Sequence, residues 1–293
     1  MSERLCVLLY GEVVGHLSRG AAGEPPEFSY LPSYVRDGKV ALSARIPVST
    51  VTNKPDKVAP FLAGILPENR ETRERWMGKS RAADPEDFFA LLSNMGWDCP
   101  GAVQFCRPED LGGLVNRTAS YEPLSESDVA QRLRDLIASP ASWTMEGEHW
   151  SLGGQQEKFA IARIGDFWQE ARGAAATTHI IKPGIGRLRY QALVEHATMT
   201  AAAELGLDVA PTRYMQFEDQ WAIVIELFDR LLTADGHVNR IHQEDFCQAS
   251  GRLPERKYEW WQPSQVLRCA EQALHYDHLH AVRVCGAVFV RHR

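Results

Sequence analysis

The stretch SLGGQQEKFA, residues 151–160, decides how the rest of this chain is read. Two adjacent glycines, Gly153 and Gly154, lie between Ser151 and Lys158, and an apolar run follows at once. Without Cβ atoms, glycines let backbone N–H groups approach anionic oxygens, and Lys158 adds positive charge at the exit of the loop. A Walker A loop needs Gly-x-x-x-x-Gly-Lys-Ser/Thr between a strand and a helix. Neither condition is met, because these glycines precede a strand. The competing reading is a plain β-turn with no ligand, since glycine pairs chiefly serve turns.

Spacing downstream bears on that choice. The setting of the loop is close to the glycine-rich cover of protein kinases, where a β-turn lies over the phosphates. Lys182 ends the strand THIIK, and Glu195 lies in the helix predicted over 190–207. A strand lysine paired to a helix glutamate is how kinases hold the α- and β-phosphates: the lysine supplies charge and the glutamate fixes its position. Taken singly, Lys182 reads as a solvated strand end and Glu195 as a helix surface residue. The strand pair DVAPTRYMQF and QWAIVIE follows, then a connector, ELFDR. In this order the pieces sketch a kinase N-lobe, with backbone groups of Glu226, Leu227 and Phe228 offered to an adenine.

Upstream, LCVLLYGEVVGHLSR (5–19) reads as a hairpin turning at Gly11-Glu12, with EFSYL and KVALSARIPV as further strands of a meander. PFLAGILPENRETRERW, DPEDFFALLSNM (Asp84 as N-cap, Pro85 first in the helix) and SESDVAQRLRDLIAS (125–139) read as helices. KFAIARI and THIIKP are strands joined through GDFWQEARG. The helix at 190–207 is expected to bury Leu193, Ala197, Ala201 and Leu205, and IHQEDFCQASG is expected to be helical.

The bulk properties are those of a globular protein. The 293 residues suffice for two units, with 44% hydrophobic and 24% charged residues. A net charge of −6 gives no global reason to expect nucleic acid as a direct partner. No run approaches membrane-helix length, no signal peptide is evident, and the six cysteines lack paired spacing, so a reduced, cytoplasmic protein is expected.

Together, LLYGEVVGHL, ALSARIP, FLAGILPENRETRER, NMGWDCPGAVQF, SLGGQQEKFA, THIIKP, ALVEHATMTAAAELGLDVA, IELFDR and RIHQEDFCQASG…KYE resemble the HipA family of bacterial toxin kinases, in the family's order, from residue 5 to about 259. The resemblance implies an α+β serine/threonine protein kinase: a β-rich and helical extension (1–110), a helical connection (111–147) and a kinase-like core with its nucleotide-binding lobe (148–259). It implies the toxin of a type II toxin–antitoxin system, linked to persistence. A HipB-like helix-turn-helix antitoxin would be its partner and would bring it to DNA indirectly; glutamyl-tRNA synthetase would be the protein substrate. ATP with Mg²⁺ would be the cofactor. By motif match, Ser151 is the autophosphorylated serine, while Gly153, Gly154, Gln155, Gln156, Glu157 and Lys158 form the phosphate loop. Lys182 is the nucleotide lysine, with Glu195 its partner, and Glu226, Leu227 and Phe228 form the hinge. Leu227 departs from the family's usual arginine there, which removes one charge. A phosphate on Ser151 would bring nearly two negative charges to the place where an anionic nucleotide must sit.

Phosphoryl transfer also needs an aspartate to orient the hydroxyl and an Asn and Asp to hold Mg²⁺. The family carries these in an Asn-x-Asp-x-His-x-x-Asn run and a later Asp, and neither is found here. After Tyr258-Glu259 the composition changes: residues 260–293 hold four of the ten histidines and two of the six cysteines. This tail reads as foreign to the family, as a frameshift with an early stop would make it. No catalytic or metal-binding residue is then retained, most of the helical C-lobe is missing, and apolar faces are left uncovered. A zinc site from Cys269, His275, His278 and His280 matches no common spacing, and an amphipathic helix or disorder is the expectation. Three readings stand: a kinase toxin, a non-catalytic antitoxin-binding regulatory remnant, and a non-functional gene fragment.

Overall fold

The computed structural model describes residues 2–37, 40–77, 84–115, 119–144, 147–234, 236–259, 279–284 and 287–292. A four-stranded antiparallel sheet of order β3-β2-β1-β4 organises the first hundred residues. Strands β1 (Glu3–Leu9) and β2 (Glu12–Arg19) form its hairpin. The turn residues are Tyr10 and Gly11, both at positive φ (54° and 80°), one position earlier than the sequence suggests. Two left-handed residues in succession match the twist of the flanking strands. β3 (Glu27–Tyr30) pairs with β2 and is followed by α1 (Pro32–Arg36).

KVALSARIPV is not the strand its alternation predicts. Its residues wrap around one buried hydroxyl: Tyr30 Oη accepts the Leu42 N–H (2.7 Å) and donates to the Ile46 carbonyl (2.6 Å). Backbone groups satisfied in this way need no ladder. Helix α2 (Pro55–Ile65) buries Val58, Phe61, Leu62 and Ile65 at helical spacing. α3 (Arg70–Trp76) and α4 (Phe88–Met95) follow. The α4 cap is Asp87, which accepts the Ala90 N–H (3.0 Å), whereas Asp84 closes the preceding turn through the Glu86 N–H. β4 (Val103–Cys106) returns to β1, and α5 (Leu111–Val115) leads out of the sheet.

Next come β5 (Ala119–Leu124) and α6 (Glu126–Ala138), the latter opened by a reciprocal capping box between Ser125 and Asp128. The second sheet is antiparallel and six-stranded, in the order β5-β7-β6-β8-β10-β9. Its later strands are β6 (Phe159–Ile164), β7 (Phe167–Gly173), β8 (His179–Lys182), β9 (Thr212–Phe217) and β10 (Gln220–Glu226). GDFWQEARG, read as a connection, is therefore mostly β7 itself, with only Gly165-Asp166 turning.

Helix α7 (Gln191–Glu204) packs on this sheet through Ala192 and Met199, against Ile223 and Ile225. The expected buried face is corrected: Leu193 and Leu205 are 40% and 82% exposed. Aliphatic spacing misled because the packed face is made by Ala192 and Met199, and Glu195 pairs with Lys182. One apolar core runs through both sheets, from Leu5 and Phe61 to Trp143, Phe159 and Phe217.

The hairpin β11 (Arg230–Leu232) and β12 (Val238–Arg240) precedes β13 (Gln243–Asp245) and α8 (Phe246–Ser250), which ends at left-handed Gly251. IHQEDFCQASG is thus a strand and a short helix, because Asp245 and Gln248 cap each other in the middle of the segment. In the tail, β14 (Leu279–Val284) and β15 (Ala287–His292) form a hairpin whose second strand pairs with β13. Those residues are extended, not the amphipathic helix or disorder expected, in keeping with their β-branched alternation. Cys269, His275 and His278 of the zinc reading lie outside the described residues. Among the described residues, no helix is long and apolar enough to cross a membrane.

Candidate functional site

The register of the second sheet assembles the site. Phe159 of β6 faces Ile181 of β8, which brings Lys158 and Lys182 alongside each other at the strand ends. Lys182 also faces Ile223 of β10, so its side chain emerges on the α7 side of the sheet, as the two-residue strand period requires. There Lys182 Nζ meets Glu195 Oε1 at 2.7 Å, both groups mostly buried. Glu195 Oε2 accepts from Gln191 Nε2 (3.0 Å), and Gln191 Oε1 accepts from Gln156 Nε2 (3.0 Å). A continuous chain of hydrogen bonds therefore ties the glycine loop to the ion pair.

The loop itself is seated on the N-terminal unit. Ser151 is 1% exposed; its N–H donates to the Asp98 carbonyl (2.8 Å) and its hydroxyl to the Ile65 carbonyl (2.5 Å). The Glu68 N–H donates to the Gly154 carbonyl (3.0 Å). A Cβ on Gly153 would stand 2.4 Å from the Gly64 carbonyl oxygen. Contact with α2 alone therefore requires glycine at 153, a reason that the sequence did not offer. Gly154 has φ of +96°, a conformation that itself favours glycine.

Lys158 does not project from the loop exit. It is 4% exposed and its Nζ lies 3.9 Å from the centre of the Trp143 ring, donating to the Gln156 carbonyl at 3.1 Å. Burial, and then the charge of Lys182, push its ammonium well below the usual lysine range, against the pull of Glu68. Gln155 and Glu157 complete the loop without forming a contact that the geometry makes decisive.

At the connector, the Glu226 N–H donates to the Pro211 carbonyl (2.9 Å) and the Leu227 N–H to the Thr178 carbonyl (2.8 Å). Both donors are spent within the protein, so the hinge expectation narrows to carbonyl groups and to Phe228, which packs on the Ile223–Ile225 cluster.

The sequence did not single out the network beneath the connector. Asp98 is buried and accepts from Thr177 N–H (2.9 Å) and Oγ1 (2.7 Å), Arg230 Nη2 (3.1 Å) and Arg240 Nη2 (2.7 Å). Burial opposes its charge, but Arg230 and then Arg240 outweigh it and hold the carboxyl below the usual range. Asp229 Oδ2 accepts the Gly101 N–H, and Arg230 donates to the carbonyls of Cys99, Gly101 and Thr177. WDCPG and FDR are each visible as motifs; that they grip one another is a tertiary fact.

Lys182, positioned by Glu195, fits the phosphates of a nucleotide. Among the described residues, no group of three or more His, Cys, Asp or Glu side chains is disposed to hold a metal. No transfer step is therefore derived.

Two family models match: the HipA N-terminal domain over residues 5–106 and the HipA-like C-terminal domain over residues 150–289. The second match runs past residue 259, into the stretch whose composition reads as foreign. The chain is 34% identical over 253 residues to the Y4mE protein of Sinorhizobium fredii, covering 85% of this chain and 59% of that one. It is 30% identical over 252 residues to the serine/threonine-protein kinase toxin HipA of Shewanella oneidensis, covering 84% of this chain and 55% of that one. It is also similar to a chain solved in the complex of HipA, HipB and operator DNA from Shewanella oneidensis, with TM-score 0.70 and 28% identity over 89% of this chain and 60% of that chain. The chain thus spans less than two thirds of the length of these relatives. With both domain models matching in order on this mixed α/β fold, the chain belongs to the HipA family.

Proposed function

We propose that this chain carries the nucleotide-binding part of a HipA-like serine/threonine protein kinase of a toxin–antitoxin system. It takes ATP with the phosphates at Lys182, beneath the loop that starts at Ser151. The observation that carries this reading is the chain of contacts Gln156–Gln191–Glu195–Lys182, which couples the loop to a cation poised at a strand end. A merely solvated strand lysine would have no need of a half-buried glutamate that Gln191 braces and Gln156 reaches through Gln191.

For the residues given, the reading extends to nucleotide binding and not to a transfer step. Its sequence contains no Asn-x-Asp-x-His-x-x-Asn run, and that run supplies the metal and hydroxyl contacts of transfer. A HipB-like antitoxin is the partner proposed, with DNA reached through it; the likeness to a chain solved with HipB and operator DNA supports this. Titration with a fluorescent ATP analogue tests binding. Labelled ATP and Mg²⁺, with Ser151 and glutamyl-tRNA synthetase as acceptors, tests turnover. Absence of saturable binding overturns the first claim, and phosphate on Ser151 overturns the second.

A further inference from the structure

Lys158 sits in the loop that the proposed nucleotide reading makes functional, yet its contacts all point inward. Its Nζ lies over the Trp143 ring at 3.9 Å and donates to the Gln156 carbonyl at 3.1 Å. It also stands 3.3 Å from where a Gly154 Cβ would be. Trp143 is fully buried and held from below, with its indole N–H donating to the Pro140 carbonyl (2.9 Å). Its own carbonyl faces Arg132, which is locked to Glu148 by a buried pair at 2.8 Å and stacked on Phe159 at 4.4 Å. The far side of the loop is tied to Gln191 through Gln156, the residue whose carbonyl Lys158 engages.

We propose that Lys158 is a positioning residue that props the glycine loop from beneath, between the Trp143 ring and the Gln156 carbonyl, and is not a ligand of the nucleotide phosphates. An ammonium on an aromatic face is attracted by the ring quadrupole, most strongly on tryptophan and where water is excluded. The donated hydrogen bond fixes the peptide that presents Gln156 to Gln191. Burial makes the charge expensive here, Lys182 and Lys257 add to that cost, and Glu68 and Glu157 offset part of it; a phosphate ligand would avoid such a place and a structural post accepts it. The loop is thereby braced on two sides, by the seat on Gly64–Glu68 and by this post.

The functional consequence rests on the nucleotide reading, but the test of the post does not. Amide hydrogen exchange across 151–157 is measured without nucleotide in the wild type, Lys158→Met, Trp143→Phe and the double variant. The expected result is about tenfold faster exchange in each single variant and little further gain in the double. Wild-type exchange in Lys158→Met, together with weakened binding of the ATP analogue, makes Lys158 a phosphate ligand and overturns the proposal. If Lys158→Met does not fold, Trp143→Phe decides, and unchanged loop exchange there overturns it equally. Should no variant or wild type bind nucleotide, the exchange pattern still judges the post, and only the nucleotide reading falls.

Discussion

Ser151 donates its hydroxyl to the Ile65 carbonyl across 2.5 Å, joining the start of the glycine loop to the end of helix α2. Its N–H goes to the Asp98 carbonyl, so two carbonyl oxygens face a residue that is almost wholly buried. An anion cannot share that seat, because both neighbours are acceptors. In Ser151→Asp the loop is expected to leave α2, with faster amide exchange over 151–156 and affinity for the ATP analogue reduced by about tenfold or more. Ser151→Ala only strands the Ile65 carbonyl, at a cost of about 1–3 kcal/mol in chemical denaturation, and the loop stays seated. Wild-type affinity in Ser151→Asp would show that the seat and the nucleotide site are uncoupled.

Lys182 and Glu195 offer a sharper separation of roles. If the lysine meets phosphate and the glutamate aims it, Lys182→Met removes a charge-assisted bond of about 1.5–3 kcal/mol, or roughly ten- to a hundredfold in affinity. Glu195→Gln keeps the lysine and its partner's shape, so a smaller loss is expected. Titration of both variants under one buffer checks the order, and equal losses would mean the glutamate does more than position.

How far the sequence carried the reading depends on what kind of contact is asked for. Strand and helix order were legible because period-two and period-3.6 patterns are local, and Lys182 and Glu195 stood at the end of one element and within the next. The failures share a cause. KVALSARIPV alternates like a strand but is organised by Tyr30 from elsewhere in the chain. Leu193 and Leu205 keep helical spacing but are exposed, because α7 packs on the sheet through the smaller Ala192 and through Met199. The contacts of Gly153 with Gly64 and of Lys158 with Trp143 were likewise invisible, because no spacing rule connects those residues.

Asp98 is the point at which the two units depend on each other most. It compensates Arg230 and Arg240 together, in a place where side-chain exposure is 5% or less for Asp98 and Arg230. Removing one partner of a buried pair leaves an uncompensated charge, typically at about 3–5 kcal/mol. Asp98→Ala is therefore expected to lower unfolding stability by about that amount, and Arg240→Ala, which removes a more exposed side chain and leaves Asp98 paired with Arg230, by less. Urea denaturation followed by tryptophan fluorescence measures both. A loss under about 1 kcal/mol for Asp98→Ala would mean that water replaces the carboxylate without penalty.

His179, at the head of the strand that ends in Lys182, makes stability depend on pH in a defined direction. Burial, with the charges of Arg163 and Arg213 adding, lowers its pKa from 6.5 to about 4. Its ring contacts Thr178 Oγ1 at 2.8 Å and the edge of Trp168, with 5.4 Å between ring centroids. In the unfolded chain the imidazole takes up its proton near the ordinary value, whereas in the fold it resists until about pH 4. Between those two values the unfolded state holds more protons, so stability falls as pH drops through the window and the loss is complete below it. The shift corresponds to up to about 3 kcal/mol. His179→Gln should flatten the difference in unfolding free energy between pH 7 and pH 4.5, and the imidazole proton resonances of His179 should titrate well below pH 6. An undisturbed titration near 6.5 would mean that water reaches the ring, and that β8 is less firmly packed beside Trp168 than its contacts indicate.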